Sequence, residues 1–147
     1  MAGKRFILLF LISITSGWLL AQSSQYGFSR LDITQGLSHN RVNCIFKDSQ
    51  GFMWFCTGDG LNRYDGYGVK VFRQDMHDSA SISDNVIISI AEDTKGRLWI
   101  VCGQRFNIYD PNTESFHRNA GPFLTEYAVP DASVTGIYKD KEGNLWF

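Results

Sequence analysis

Asp48-Ser49-Gln50-Gly51-Phe52-Met53-Trp54-Phe55 decides the fold, because the phrase returns twice. It comes back as Asp93-Thr94-Lys95-Gly96-Arg97-Leu98-Trp99-Ile100 and as Asp140-Lys141-Glu142-Gly143-Asn144-Leu145-Trp146-Phe147. The tryptophans stand 45 and 47 residues apart. A period in that range marks a propeller or solenoid, where one supersecondary unit stacks on copies of itself. Residues shared by the copies are then architectural, and function has to be sought where the copies differ.

Outward from the tryptophans the register holds. Twelve residues before each lies Val42, Ile87 or Val134, and nine before lies Ile45, Ile90 or Ile137. The repeated Asp48, Asp93 and Asp140 sit six before, and Gly51, Gly96 and Gly143 three before. Downstream of the first two come Asn62 and Asn107, Tyr64 and Tyr109, then Asp65 and Asp110. Upstream, Leu37-Ser38-His39-Asn40 matches Ile82-Ser83-Asp84-Asn85.

Each copy reads as short strands joined by turns. The apolar run ending at Lys47 is followed by Asp-x-x-Gly, a tight turn in which Asp bonds nearby backbone and Gly accepts positive φ. Phe52–Thr57, Leu61–Tyr64 and Val69–Arg73 follow as further strands, broken by Gly58-Asp59-Gly60 and Asp65-Gly66-Tyr67-Gly68. Four short antiparallel strands per roughly 45 residues describe a propeller blade. The predicted fold is therefore all-β, a propeller portion of about two and a half four-stranded blades after a signal-peptide helix. The divisions are a signal peptide at 1–21, a lead-in at 22–30, blade one at 31–74, blade two at 75–119 and the start of blade three at 120–147. The text stops one residue past Trp146, so the expectation is the N-terminal piece of a longer protein.

The leader has its own signature. Lys4-Arg5 precede an apolar run from Phe6 to Leu20, and Ala21 is followed by polar Gln22-Ser23-Ser24-Gln25. The run is shorter than the roughly 20 residues of a spanning helix, and its order is that of a cleaved secretory signal. The net charge of -1, with scattered Lys and Arg, argues against direct nucleic-acid binding, which needs a basic stripe. Cys44, Cys56 and Cys102 occupy non-equivalent repeat positions without metal-ligand spacing, and read as small apolar strand residues. The three aspartates recur with each turn, so they read as structural rather than catalytic or calcium-binding. No catalytic residue, metal site or cofactor is expected.

From Gly36-Leu37-Ser38-His39-Asn40-Arg41-Val42 through Asp48 to Gly66, the chain resembles the opening blade of the two-component regulator propellers. Arg97-Leu98-Trp99-Ile100 and Asn144-Leu145-Trp146-Phe147 match the same repeat. Cys56 stands where that family usually has Gly, and Val101-Cys102-Gly103-Gln104-Arg105-Phe106 departs from its usual Gly-Thr-x-x-Gly-Leu. The resemblance implies the periplasmic sensor half of a hybrid histidine kinase anchored in the inner membrane of a Bacteroidetes bacterium. It implies an oligosaccharide or other small ligand from glycan breakdown as partner. It also implies packing against the parent's remaining blades and a homodimer of the full-length parent. The segment itself carries no kinase or output motif and is not read as an enzyme. Alternatives are a piece of an extracellular propeller glycosidase or lyase, and an interaction scaffold, since fold alone does not choose function.

Ligands of propellers meet loops at one end of the central channel. On that end the copies differ: His39 against Asp84, Arg41 against Val86, Asp59 against Gln104, Gly60 against Arg105. The candidate ligand-binding residues are Arg41, Asp59, Gln104 and Arg105, which can hydrogen-bond a sugar or pair with a carboxylate or sulfate. Trp54, Trp99, Trp146, Gly51, Gly96, Gly143, Asp48, Asp93 and Asp140 form the structural repeat.

Overall fold

A computed structural model describes residues 27–103, 105–129 and 136–146. The proposed signal peptide, Gln104 and Val134 lie outside the described residues. Leu31–Phe147 form one compact unit. The first blade consists of β1 (Val42–Lys47), β2 (Met53–Thr57), β3 (Gly60–Tyr64) and β4 (Val69–Phe72), all antiparallel and paired in chain order. The second repeats this with β5 (Ile87–Glu92), β6 (Leu98–Cys102), β7 (Arg105–Asp110) and β8 (Ser115–His117). A six-residue helix, α1 (Gly121–Glu126), follows, and then the paired strands β9 (Tyr138–Lys139) and β10 (Leu145–Trp146). The all-β propeller architecture is as the repeat predicts.

The turns show why the shared residues recur. Gly51, Gly96 and Gly143 have φ of 95°, 77° and 90°, the left-handed region that a side chain disfavours. Asp48 Oδ1 accepts the Phe52 N–H at 2.8 Å, and Oδ2 accepts the Trp54 indole N–H at 2.7 Å. Asp93 repeats this arrangement for Arg97 and Trp99, and Asp140 for Asn144 and Trp146. The aspartate thus closes the β-turn and also holds the indole that its own turn presents.

Both inner strands carry the same irregularity, a register shift between Val42 and Cys44 and between Ile87 and Ser89. The third strands begin one residue earlier than the pattern suggests, at Gly60 and Arg105. Gly60 permits this in the first blade: its φ is 126°, and an added Cβ would lie 2.8 Å from the Phe72 carbonyl oxygen.

Two cores alternate with the sheets. Between the blades, Trp54, Cys56 and Leu61 pack with Ile87, Ile90, Leu98, Ile100, Cys102, Tyr109 and Phe116. Trp54 meets Tyr109 edge-on at 5.2 Å between ring centroids and stacks on Phe72 at 5.8 Å. Beyond the second blade, Trp99, Val101, Phe106 and Ile108 pack on Leu124 of α1 and on Ile137. Alternate residues of β6 therefore enter different cores, and all five are buried. The helix lies outside the strand repeat; Pro122 in its first turn supplies a suitable start, and Leu124 anchors it.

Candidate ligand-binding face

The residues where the repeats differ gather at one end of the blades. Arg41 immediately precedes β1, Asp59 lies in the β2–β3 turn, and Arg105 opens β7. The Gly60 N–H donates to the Asn85 carbonyl oxygen at 2.7 Å, joining this end of the first blade to the segment entering β5. The blade backbones approach most closely along β1 and β5, and Asn43 Nδ2 donates to the Ile87 carbonyl at 2.8 Å between them.

Conserved chemistry within the chain holds these loops in place. Buried Asn62 accepts the Ser38 N–H at 2.8 Å and donates to Ser38 Oγ at 2.8 Å. Asn107 does the same for Ser83, at 2.9 and 2.7 Å. A third-strand side chain thereby fixes the loop entering its own first strand, 24 residues upstream. Thr57 reinforces the first latch through its hydroxyl contact with Ser38 at 2.8 Å. Cys102 occupies the equivalent place in the second blade and offers no such hydroxyl. Asn40 and Asn85 are loop caps, accepting the Ile33 and Gln74 N–H groups at 3.1 and 2.7 Å. His39 accepts the Arg41 N–H on Nδ1 at 2.9 Å, a local bond within the loop.

On this scaffold the candidates differ in state. Arg41 and Arg105 are exposed and form no side-chain ion pair among the described residues. Asp59 is half-buried, with Arg73 donating to its carboxylate and its carbonyl at 3.0 and 3.1 Å. Gln104 falls outside the described residues. No direct bond joins Arg41, Asp59 and Arg105 to one another among the described residues; they share an end rather than a contact. Arg73 is the residue that repeat comparison misses: it follows β4 and pairs with Asp59, and only the folded sheet brings them together. Tyr67 is 99% exposed in the β3–β4 turn, at the opposite end.

A concavity of about 230 Å³ lies between the outer strands, lined by Phe72, Arg73, Asp75, Asp78, Glu114 and Phe116 among others. Its wall is fixed by Arg118, whose guanidinium donates to the Asp75 and Asp78 carbonyls and to Ser81. Glu114 accepts from Lys70 and Arg63, which hold its carboxyl below the usual range. These polar groups are largely engaged with one another.

Four-stranded antiparallel sheets packed face to face, nearest at their first strands, define a β-propeller segment. Comparison adds a family likeness. Residues 36–59, 81–104 and 128–147 match the two-component regulator propeller model, so all three repeats are similar to that family's. Over 65 residues, 44% of the chain, it is 42% identical to "Histidine kinase P4" of Formosa agariphila, and it spans 5% of that protein's length. It is also similar to an extracellular domain from B. thetaiotaomicron assigned to a one-component system, at 28% identity and a TM-score of 0.54. That match covers 84% of this chain and 18% of the other. A second extracellular domain from the same organism, assigned to a hybrid two-component system, aligns at 23% identity and a TM-score of 0.41. It covers 80% of this chain and 23% of that one.

Proposed function

We propose that the chain is the input region of a membrane-anchored signalling protein, a propeller held in the periplasm to sense oligosaccharides released from glycans. One observation carries the ligand face. The blades share their Asp–Gly–Trp turns and their Ser–Asn latches, whereas the end fixed by those latches presents Arg41 against Val86 and Gly60 against Arg105. Guanidinium groups on a rigid rim suit the hydroxyls and carboxylates of charged sugars. The signal-like leader supports export, and the likeness to an extracellular domain supports a place outside the cytoplasm. The match to a histidine kinase supports a phosphorelay as output, carried by other parts of the parent. The segment senses, and the enzyme lies elsewhere in the parent.

The test is ligand-induced stabilisation of the complete extracellular region. A ligand that binds only the folded state, at a hundred times its Kd, adds about 2.7 kcal/mol. A panel of neutral, uronate and sulfated oligosaccharides should contain at least one that raises Tm by a few degrees. A flat response across all three classes would contradict a glycan ligand.

A further inference from the structure

Cys44 on β1 and Cys56 on β2 stand directly opposite each other, the first paired residues after the bulge at Val42. Opposed residues of antiparallel strands carry Cβ atoms about 4.5–5.5 Å apart, while a disulfide wants them about 3.5–4.5 Å apart with Cα atoms about 4.4–6.8 Å apart. A small local adjustment therefore suffices to join them. Cys102 has no such neighbour on its own sheet, where it is paired with Ile87 and Arg105.

We propose that Cys44 and Cys56 are a disulfide-forming pair, joined across β1 and β2 in the exported protein, with Cys102 remaining a buried thiol. The cellular setting rests on the export reading above; the pairing rests on strand register alone. The two cysteines have distinct parts. The Cys56 thiol beside it holds the half-buried Cys44 sulfur below its ordinary pKa, which favours Cys44 as the attacking sulfur. The neighbouring Cys44 and burial push the Cys56 thiol up, so it keeps its proton longer. Burial, with Asp84 nearby, pushes Cys102 up to about 12.

The oxidant is a second disulfide, R–S–S–R, protein-borne or small. Cys44 thiolate attacks one of its sulfurs and expels a thiolate, giving a mixed disulfide. Cys56 then passes its proton to that leaving thiolate and attacks Cys44 Sγ, expelling the second thiolate, which takes up the proton first lost by Cys44. Two cysteine thiols are oxidised to one disulfide, and R–S–S–R is reduced to two R–SH.

The experiment starts from reduced full-length protein incubated with oxidised glutathione, denatured, alkylated and peptide-mapped. The Cys44 and Cys56 peptides should be recovered linked, two hydrogens lighter than the sum of the free pair, with Cys102 alkylated. Free Cys44 and Cys56, glutathione retained on Cys44, or a link through Cys102 would overturn the pairing. A parallel sample, thiol-blocked at lysis and fractionated, reads the cell. Linked peptides in periplasmic protein support the proposal, and free thiols there overturn the disulfide. Protein confined to the cytoplasm would refute the export reading instead, leaving the glutathione arm to decide the pairing.

Discussion

Trp99 donates its indole N–H to Asp93 Oδ2 at 3.1 Å, and both residues are buried. Asp93 also accepts the Lys95 and Arg97 N–H groups and the Arg97 guanidinium at 2.7 Å. One carboxylate thus unites a turn, an indole and a cation. In the third copy the same Asp140–Trp146 bond, 2.9 Å long, is exposed. Removing a buried acceptor that serves several donors costs about 2–4 kcal/mol, since each donor loses its partner. Asp93→Ala should therefore destabilise the protein by about that much and Asp140→Ala by under about 1 kcal/mol. Urea denaturation followed by tryptophan fluorescence will read the difference; equal losses would contradict the ranking.

Asp93 also dictates an acid response. Burial works to raise its pKa, but the bonds from Trp99, Arg97 and Lys95 outweigh it and hold the group below the ordinary value. An unfolded aspartate titrates near about 3.9. The folded value is lower, so this stabilisation is complete above pH ~4 and is lost as pH falls through the folded value. Asp93→Asn removes the titrating charge. Its stability should fall less steeply than wild type below pH ~4 in an acid titration of Tm.

Glu92 joins the two blades. Nearly buried, it accepts the Ser49 N–H at 3.0 Å and the Ser49 hydroxyl at 2.5 Å. Lys47 and Lys139 occupy the equivalent repeat positions, so the first and third copies carry no carboxylate there. Charge-assisted bonds contribute about 1.5–3 kcal/mol. Glu92→Gln should cost about 1–2 kcal/mol. A Ser49→Ala, Glu92→Gln double-mutant cycle should show coupling above about 0.5 kcal/mol, whereas strict additivity would deny the contact.

The Ser–Asn latches should separate stability from site order. Asn107→Ala leaves the Ser83 N–H without its acceptor and opens a small buried gap, costing about 2–3 kcal/mol. Hydrogen exchange should quicken at residues 83–86, while β7 and β8 keep their protection at matched stability. Unchanged exchange there would show that the loop holds itself.

Much of this architecture was legible because the repeat compares the sequence with itself. Trp54, Gly51 and Asp48 recur, so their common structural cause shows without coordinates. The recurrence did not reveal what Asp48 touches, because a turn cap and an indole acceptor occupy the same position. Ser38 and Asn62 recur as well, yet their bond spans 24 residues and needs the folded sheet. The helix at Gly121–Glu126 escaped the pattern because it belongs to one junction and has no copy. Arg73 stayed hidden for the opposite reason: its meaning lies in the sheet that returns it to Asp59. The differing residues located an end of the propeller, which periodicity can do. A contact set for a ligand lies beyond periodicity.

The central claim is that this end receives the ligand, and affinity measures it most directly. Titration calorimetry should compare the complete extracellular region with its Arg41→Ala and Arg105→Ala variants, using the oligosaccharide that stabilises wild type. Loss of a charge-assisted bond of about 1.5–3 kcal/mol corresponds to at least tenfold weaker binding, with Tm unchanged because both side chains are exposed. Wild-type affinity in both variants would contradict the account and place the ligand elsewhere on the protein.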